Sequence, residues 1–170
     1  MNRWVSVLLA SFLAIPSAAQ QVGPSLEVYP AGAIITARYT LDTADSSRVH
    51  LHAGMNATDR RDWGEHAEER GAGFGFGVAG HRYIRPMREG PWYGIRADIW
   101  FMTIDWRDIG RAGESKVTVL QPTARAGWTL SAGRVDIDFS AGIGAEVNIR
   151  TQGESVGQGV ILLGGIAVGY

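Results

Sequence analysis

Residues 71–80, GAGFGFGVAG, contain Gly75-x-Gly77-x-x-Gly80. As a string this is the loop that cradles a dinucleotide pyrophosphate against a helix N-terminus. Other short strings also invite a chemical reading. Gly153-Glu154-Ser155-Val156-Gly157 matches the G-x-S-x-G nucleophile elbow of serine hydrolases. His50 and His52 share a face at strand spacing, and with His81 as a third ligand they would hold a metal. Asn56-Ala57-Thr58 spells a glycosylation sequon. Each of these chemistries needs a particular element beneath it, so the elements decide between them.

The dominant period along the chain is two, the signature of half-buried strands. AIITARYTL places Ala33, Ile35, Ala37, Tyr39 and Leu41 on one face, against Ile34, Thr36, Arg38 and Thr40. RVHLHAGMN, WYGIRADIWF and LQPTARAGWTL alternate in the same way. In RVDIDFSAGIGAEVNIR, Val135, Ile137, Phe139, Ala141, Ile143, Ala145, Val147 and Ile149 share one face, while Asp136, Asp138, Glu146 and Arg150 fall on the other. Alternation over such a length predicts a strand near 50 Å long at about 3.3 Å per residue. Strands of that length suit a tilted crossing of a membrane with an extension beyond it. The predicted class is all-β.

The motifs then lose their chemical meaning. In GAGFGFGVAG, Phe74, Phe76 and Val78 alternate with glycines inside a strand, and no helical pattern follows. The glycines read as the crowded inner side of a small barrel, where a missing side chain makes room for large neighbours. GESVG lies in a loop before the last strand, and no histidine follows His81 to serve the serine. His50, His52 and His81 read as hydrogen-bonded interior residues, His66 as a solvated loop residue, and the sequon as letters only. No cofactor is expected.

The ends and the composition narrow the compartment. MNRW carries one positive charge, residues 5–15 form an apolar core, and PSAAQ offers small residues for cleavage before Gln20. Residues 1–19 are therefore expected to be a secretory signal peptide and 20–170 a single barrel domain. There is no cysteine, which removes disulfides, thiolate metal sites and lipoprotein attachment. A formal net charge of −1 gives no electrostatic case for nucleic acid.

Short turns are expected at 42–47, 85–91 and 131–134, and longer loops at 57–71, 105–115 and 151–157. Seven strands are clear. Closing an even barrel requires an eighth, for which PSLEVY (24–29) is the candidate, turned by Pro30-Ala31-Gly32. Both termini then lie with the short turns, an arrangement found in outer-membrane barrels. Tyr39, Tyr93, Trp128 and Tyr170 all fall on the apolar face near the short-turn end, as an aromatic girdle would. The opposite face carries Arg38, Arg96, Asp98, Arg125, Asp136, Asp138 and Glu146, which must pair inside a lumen just wide enough to be filled. If Ser131 and Ala132 make a two-residue turn, Arg125 stands across from Asp138; a shift by two residues places it by Ser140.

With these residues in hand, the chain resembles the small outer-membrane β-barrel proteins of Gram-negative bacteria, the OmpA/OmpX-like eight-stranded group, over roughly residues 24–170. The most specific stretch is VILLGGIAVGY, ending on Tyr170 with Val168, Ile166, Gly164 and Leu162 at alternate places before it. The resemblance implies an antiparallel up-and-down transmembrane barrel set in outer-membrane lipid. It also implies that Leu162, Ile166, Val168 and Tyr170 are read by the barrel-assembly machinery once periplasmic chaperones deliver the chain. The expected role is structural, or interaction through external loops such as the stretch from Asp59 to Arg70 with Trp63, as a monomer. The alternatives are a lipid-modifying enzyme using external residues such as Asn56, Asp59, His66 or Ser155, a small-solute porin, and a soluble ligand-binding barrel with its faces reversed.

Overall fold

The computed structural model describes residues 20–86 and 88–170. The signal-peptide expectation, on 1–19, lies outside the described residues. Eight strands run in sequence order: β1 Gln20–Tyr29, β2 Gly32–Ala44, β3 Ser47–Arg61, β4 Glu68–Tyr83, β5 Gly90–Asp108, β6 Arg111–Ala132, β7 Val135–Gln152 and β8 Gly159–Gly169. Each pairs antiparallel with its neighbour, and β1 pairs with β8 to close the barrel. The seam is held by Ser25↔Ala167 to Val28↔Gly164 and by two backbone bonds exchanged between Val22 and Tyr170, at 3.1 and 3.2 Å. Pro24 has no N–H to donate there. The stretch 24–29 is a true strand, and β1 starts four residues earlier.

Two of the three expected long loops are largely strand. Residues 105–115 are mostly polar, yet they pair as Asp105↔Glu114 to Asp108↔Arg111 around a two-residue turn, with Gly110 at φ 77°. Likewise 57–61 and 68–71 continue β3 and β4. Opposite charges stand beside each other across these extensions: Asp59↔Arg70↔Asp105 in one row and Arg61↔Glu68↔Arg107 in the next. Such cross-strand pairs stabilise a sheet modestly and let it continue without an apolar face. Polarity in this chain therefore marks where a strand leaves the apolar band, and the turn comes later.

The inner glycines explain how so narrow a cylinder closes. A Cβ on Gly75 would overlap the Trp100 ring and the Ile99 carbonyl oxygen, and one on Gly77 would overlap Asp98 Oδ1 and the Ala97 carbonyl. Gly80 faces outward with nothing near its missing side chain. The three glycines of the dinucleotide string thus point to two sides of one strand.

Alternation holds along almost every wall. Phe74, Phe76, Ile95, Trp128, Leu162 and Ile166 are exposed on the outside, and Trp92, Trp100 and Tyr83 are buried within. One departure has a local cause. The β6–β7 register shifts between Thr118 and Val119, which makes Ile149 an extra residue on β7. The expected inward Arg150 consequently stands opposite Thr118 on the outer face and is exposed.

Candidate functional site

The lumen is filled in three strata. Beside Gln20, Tyr170 and the turns at 45–46, 84–86 and 133–134 lies a dense ionic layer. Arg48 bridges Asp42 (2.8 Å) and Asp136 (2.7 Å), and Gln21 donates to Asp136. Arg38 meets Asp138 at 2.5 Å, and Asp138 also accepts from Thr129, whose hydroxyl bonds Tyr83. His50 joins Thr40 and His81 at 2.9 Å each, and His81 stacks on Trp92. His52 pairs closely with Asp98, which also accepts from Arg96 Nε.

Glu27 is the hub of this layer. Arg96 Nη1 donates to both of its oxygens at 2.7 Å, and Arg125 reaches it at 2.5 Å. These charges are almost fully removed from solvent, and their mutual pairing is what makes that burial tolerable. The Arg125 expectation resolves through the turn. Gly133 and Arg134 turn the chain, not Ser131 and Ala132, so Arg125 lies across from Gly142, bonds Ser140 at 2.8 Å and leaves Asp138 to Arg38.

Above it sits an apolar septum of Tyr29, Ile34, Trp100, Met102, Val119 and Leu163. Two bonds tie its polar edges: Trp100 Nε1 donates to Gln121 at 2.9 Å and Tyr29 Oη to Asn56 at 2.8 Å. The alternation places these residues inward, but an apolar layer inside the lumen was not expected. A Trp and an Ile at inward positions of β5 and β2 were its signal.

The third stratum closes the distal mouth. Fully buried Glu69 accepts from the backbone N–H of Glu65 and His66 in segment 62–67, and of Gly157 in segment 153–158. Arg60 donates to Glu69 and to the Gly157 carbonyl and pairs with Glu146. Val156 is pressed into the core as a stopper, its carbonyl held by Asn148. His66 is buried rather than solvated. It stacks on Trp106, with Nδ1 2.8 Å from Asp108 and Nε2 2.9 Å from the Ser155 main-chain oxygen. Sequence reading missed Glu69 and Arg60 because both lie in a stretch taken for loop.

His66 faces two acceptors and no donor, so only the imidazolium satisfies both of its bonds. Burial alone would lower its pKa, but Asp108, the Ser155 carbonyl and Glu69 outweigh it and hold the ring above its ordinary value. The His66 hydrogen bond in turn lowers Asp108. Trp106 and Arg111, which lies over the Trp106 ring and pairs with Glu154, complete the surroundings. A raised histidine contributes fully below about pH 6.5 and loses its contribution as pH rises through the folded value. Asp108 contributes above its ordinary range and is lost only in acid. Hydrogen exchange in 62–67 and 153–158, corrected for intrinsic rates, is therefore expected to quicken between pH 5.5 and 9 in the wild type. In H66N that pH dependence should vanish, and equal protection at both pH values in the wild type would refute the role of the His66 imidazolium in holding the two segments.

Among the described residues, no cluster of histidine and carboxylate side chains is arranged to hold a metal. The four aromatic residues Tyr39, Tyr93, Trp128 and Tyr170 stand on the outer wall, the last three well exposed. Leu162, Ile166 and Val168 alternate outward along β8.

No family profile and no curated relative matches the sequence. Among solved structures, the N-terminal β-barrel domain of Pseudomonas aeruginosa OprF superposes with a TM-score of 0.52, covering 89% of this chain and 96% of that one at 10% identity. Ail, the attachment invasion locus protein of Yersinia pestis, gives 0.50, covering 86% and 95% at 10% identity. At such identity the likeness is one of architecture: the chain has the fold of small eight-stranded outer-membrane barrels.

Proposed function

We propose that the mature chain, 20–170, is a monomeric outer-membrane β-barrel with a sealed lumen, serving a structural or surface-interaction role through its distal end. The observation that carries this is the inversion of its faces. Large apolar side chains are exposed all round the outside, while paired arginines and carboxylates fill the inside. Water would disfavour that outer wall, and hydrocarbon would accept it. In this reading Tyr39, Tyr93, Trp128 and Tyr170 mark the periplasmic lipid boundary. Leu162, Ile166, Val168 and Tyr170 form the segment handed by periplasmic chaperones to the barrel-assembly machinery, and residues 1–19 are the cleaved signal. The interior arginines and carboxylates are structural, and no cofactor takes part.

The enzymatic alternative finds little support at the distal mouth. Both nitrogens of His66 are engaged, one by Asp108 and the other by the Ser155 main chain, not its hydroxyl. No ring nitrogen is left to take a proton from a serine. The septum and the Val156 stopper likewise argue against a porin.

Mobility on gels tests the reading. Protein from isolated outer membranes is expected to migrate differently before and after boiling, and to give no steady conductance in planar lipid. A chain soluble without detergent, with one mobility throughout, would instead favour the ligand-binding barrel.

A further inference from the structure

We propose that the outer wall carries a seat for the phosphate of a membrane lipid, built around Arg150 and Lys116; the inference rests on the membrane placement proposed above. The bulge at Ile149 turns Arg150 out of the lumen and sets it opposite Thr118. Bulges recur where a side chain must be re-aimed. Lys116 stands one pleat further along on the same face, with Thr103 beside it on β5. Together they line a cleft bounded by Phe74 and Phe101.

Two observations point to an anionic occupant. The first is charge. The other outward arginines of the distal half, Arg61, Arg70, Arg107 and Arg111, each have a carboxylate within 4.0 Å. Arg150 has none among the described residues, and Lys116 reaches Glu114 only at 4.0 Å. The second is height. Ten residues of β6 separate Trp128 from Thr118. At about 3.3 Å each and a tilt of roughly 40° they climb about 25 Å, the height of a barrel's apolar band. Arg150 and Lys116 therefore stand where acyl chains give way to headgroups. An acyl chain lying on Phe101 and Phe74 brings its phosphate to the guanidinium, which binds such oxygens in bidentate fashion, with Lys116 adding a point charge.

The test reconstitutes the folded protein in phosphatidylcholine bilayers containing a small fraction of bis-phosphorylated lipid A. It is then re-extracted in mild detergent and weighed by native mass spectrometry. The wild type is expected to retain one lipid A. The double variant R150Q/K116Q should retain about tenfold less, as expected for losing charge-assisted bonds, and R70Q should match the wild type. Undiminished retention by the double variant overturns the seat, as does equal retention of lipid A stripped of its phosphates. Displacement by inorganic phosphate would assign the cleft to a free anion and also overturn it. Gel mobility of the same samples separates the two levels. If the wild type shows no heat shift, the membrane placement fails and the seat with it; if the shift is intact and lipid A is not retained, only the seat fails.

Discussion

Glu27→Gln is expected to cost about 3–5 kcal/mol of unfolding free energy, the usual penalty for stranding buried charge. Among the described residues Glu27 is the one carboxylate in direct contact with Arg125, whose other bond is to the Ser140 hydroxyl, and it shares Arg96 with Asp98. The amide keeps the shape and removes the charge, leaving Arg125 without a carboxylate. Position magnifies the loss. Glu27 lies on β1, whose ladder with β8 runs from Ser25 to Val28 beyond the Val22–Tyr170 pair. Its ion pairs reach across the lumen to β5 and β6 and so clamp the closing strand from within. Urea titration followed by loss of the compact gel band, in wild type and E27Q, measures the difference. A shift below about 1 kcal/mol, the scale of an exposed pair, would mean that the lumen is wet and the clamp imaginary.

The second large effect concerns the glycines. Gly75→Val and Gly77→Val are expected to abolish the compact, heat-shifted form, because each new side chain would occupy space held by Trp100 or by the His52–Asp98 pair and by a neighbouring carbonyl. Gly80→Val should fold as the wild type does, its side chain entering open space on the outer wall. Overpacking a full interior commonly costs 1–3 kcal/mol even when neighbours can yield, and backbone carbonyls yield little. Refolding of the three variants from urea into detergent micelles decides the matter. A folded G77V, or a G80V that fails, would contradict the division of this motif between two faces.

The contrast between these glycines shows how much the sequence carried. Period-two alternation suffices for the all-β class and for sorting residues onto two opposite faces, because lipid-like and filled surfaces impose opposite chemistry on successive residues; the choice of outer face rests on strand length and the aromatic girdle, and closure on the need for an eighth strand. Alternation also places Arg38, Arg96, Asp98, Arg125, Asp136, Asp138 and Glu146 within the lumen. It does not assign their partners. Arg38 finds Asp138 because the last terminal-end turn falls at Gly133-Arg134, a choice of register that alternation alone leaves open. Arg150 escapes the rule through one inserted residue. Glu69 and Arg60 were hidden for a different reason: a strand extension stabilised by alternating charge has the composition of a loop. The stratum closing the distal mouth is therefore the least legible part, although the sequence draws notice to His66 and Ser155.

The unequal strands have a consequence for how the molecule meets its surroundings. β1 has 10 residues and β6 has 22. Measured from a shared terminal end, the wall is a ramp, low at Pro30-Ala31 and high at Ile109-Gly110. In the orientation proposed, neighbouring lipid headgroups and their sugars overtop the low side and shade it from anything large. The β5–β6 hairpin rises clear of that canopy, with Ile109 fully exposed at its summit. An antibody, a phage tail fibre or another cell approaching from outside would touch this one side first, so the cylinder presents a front and a back to the exterior.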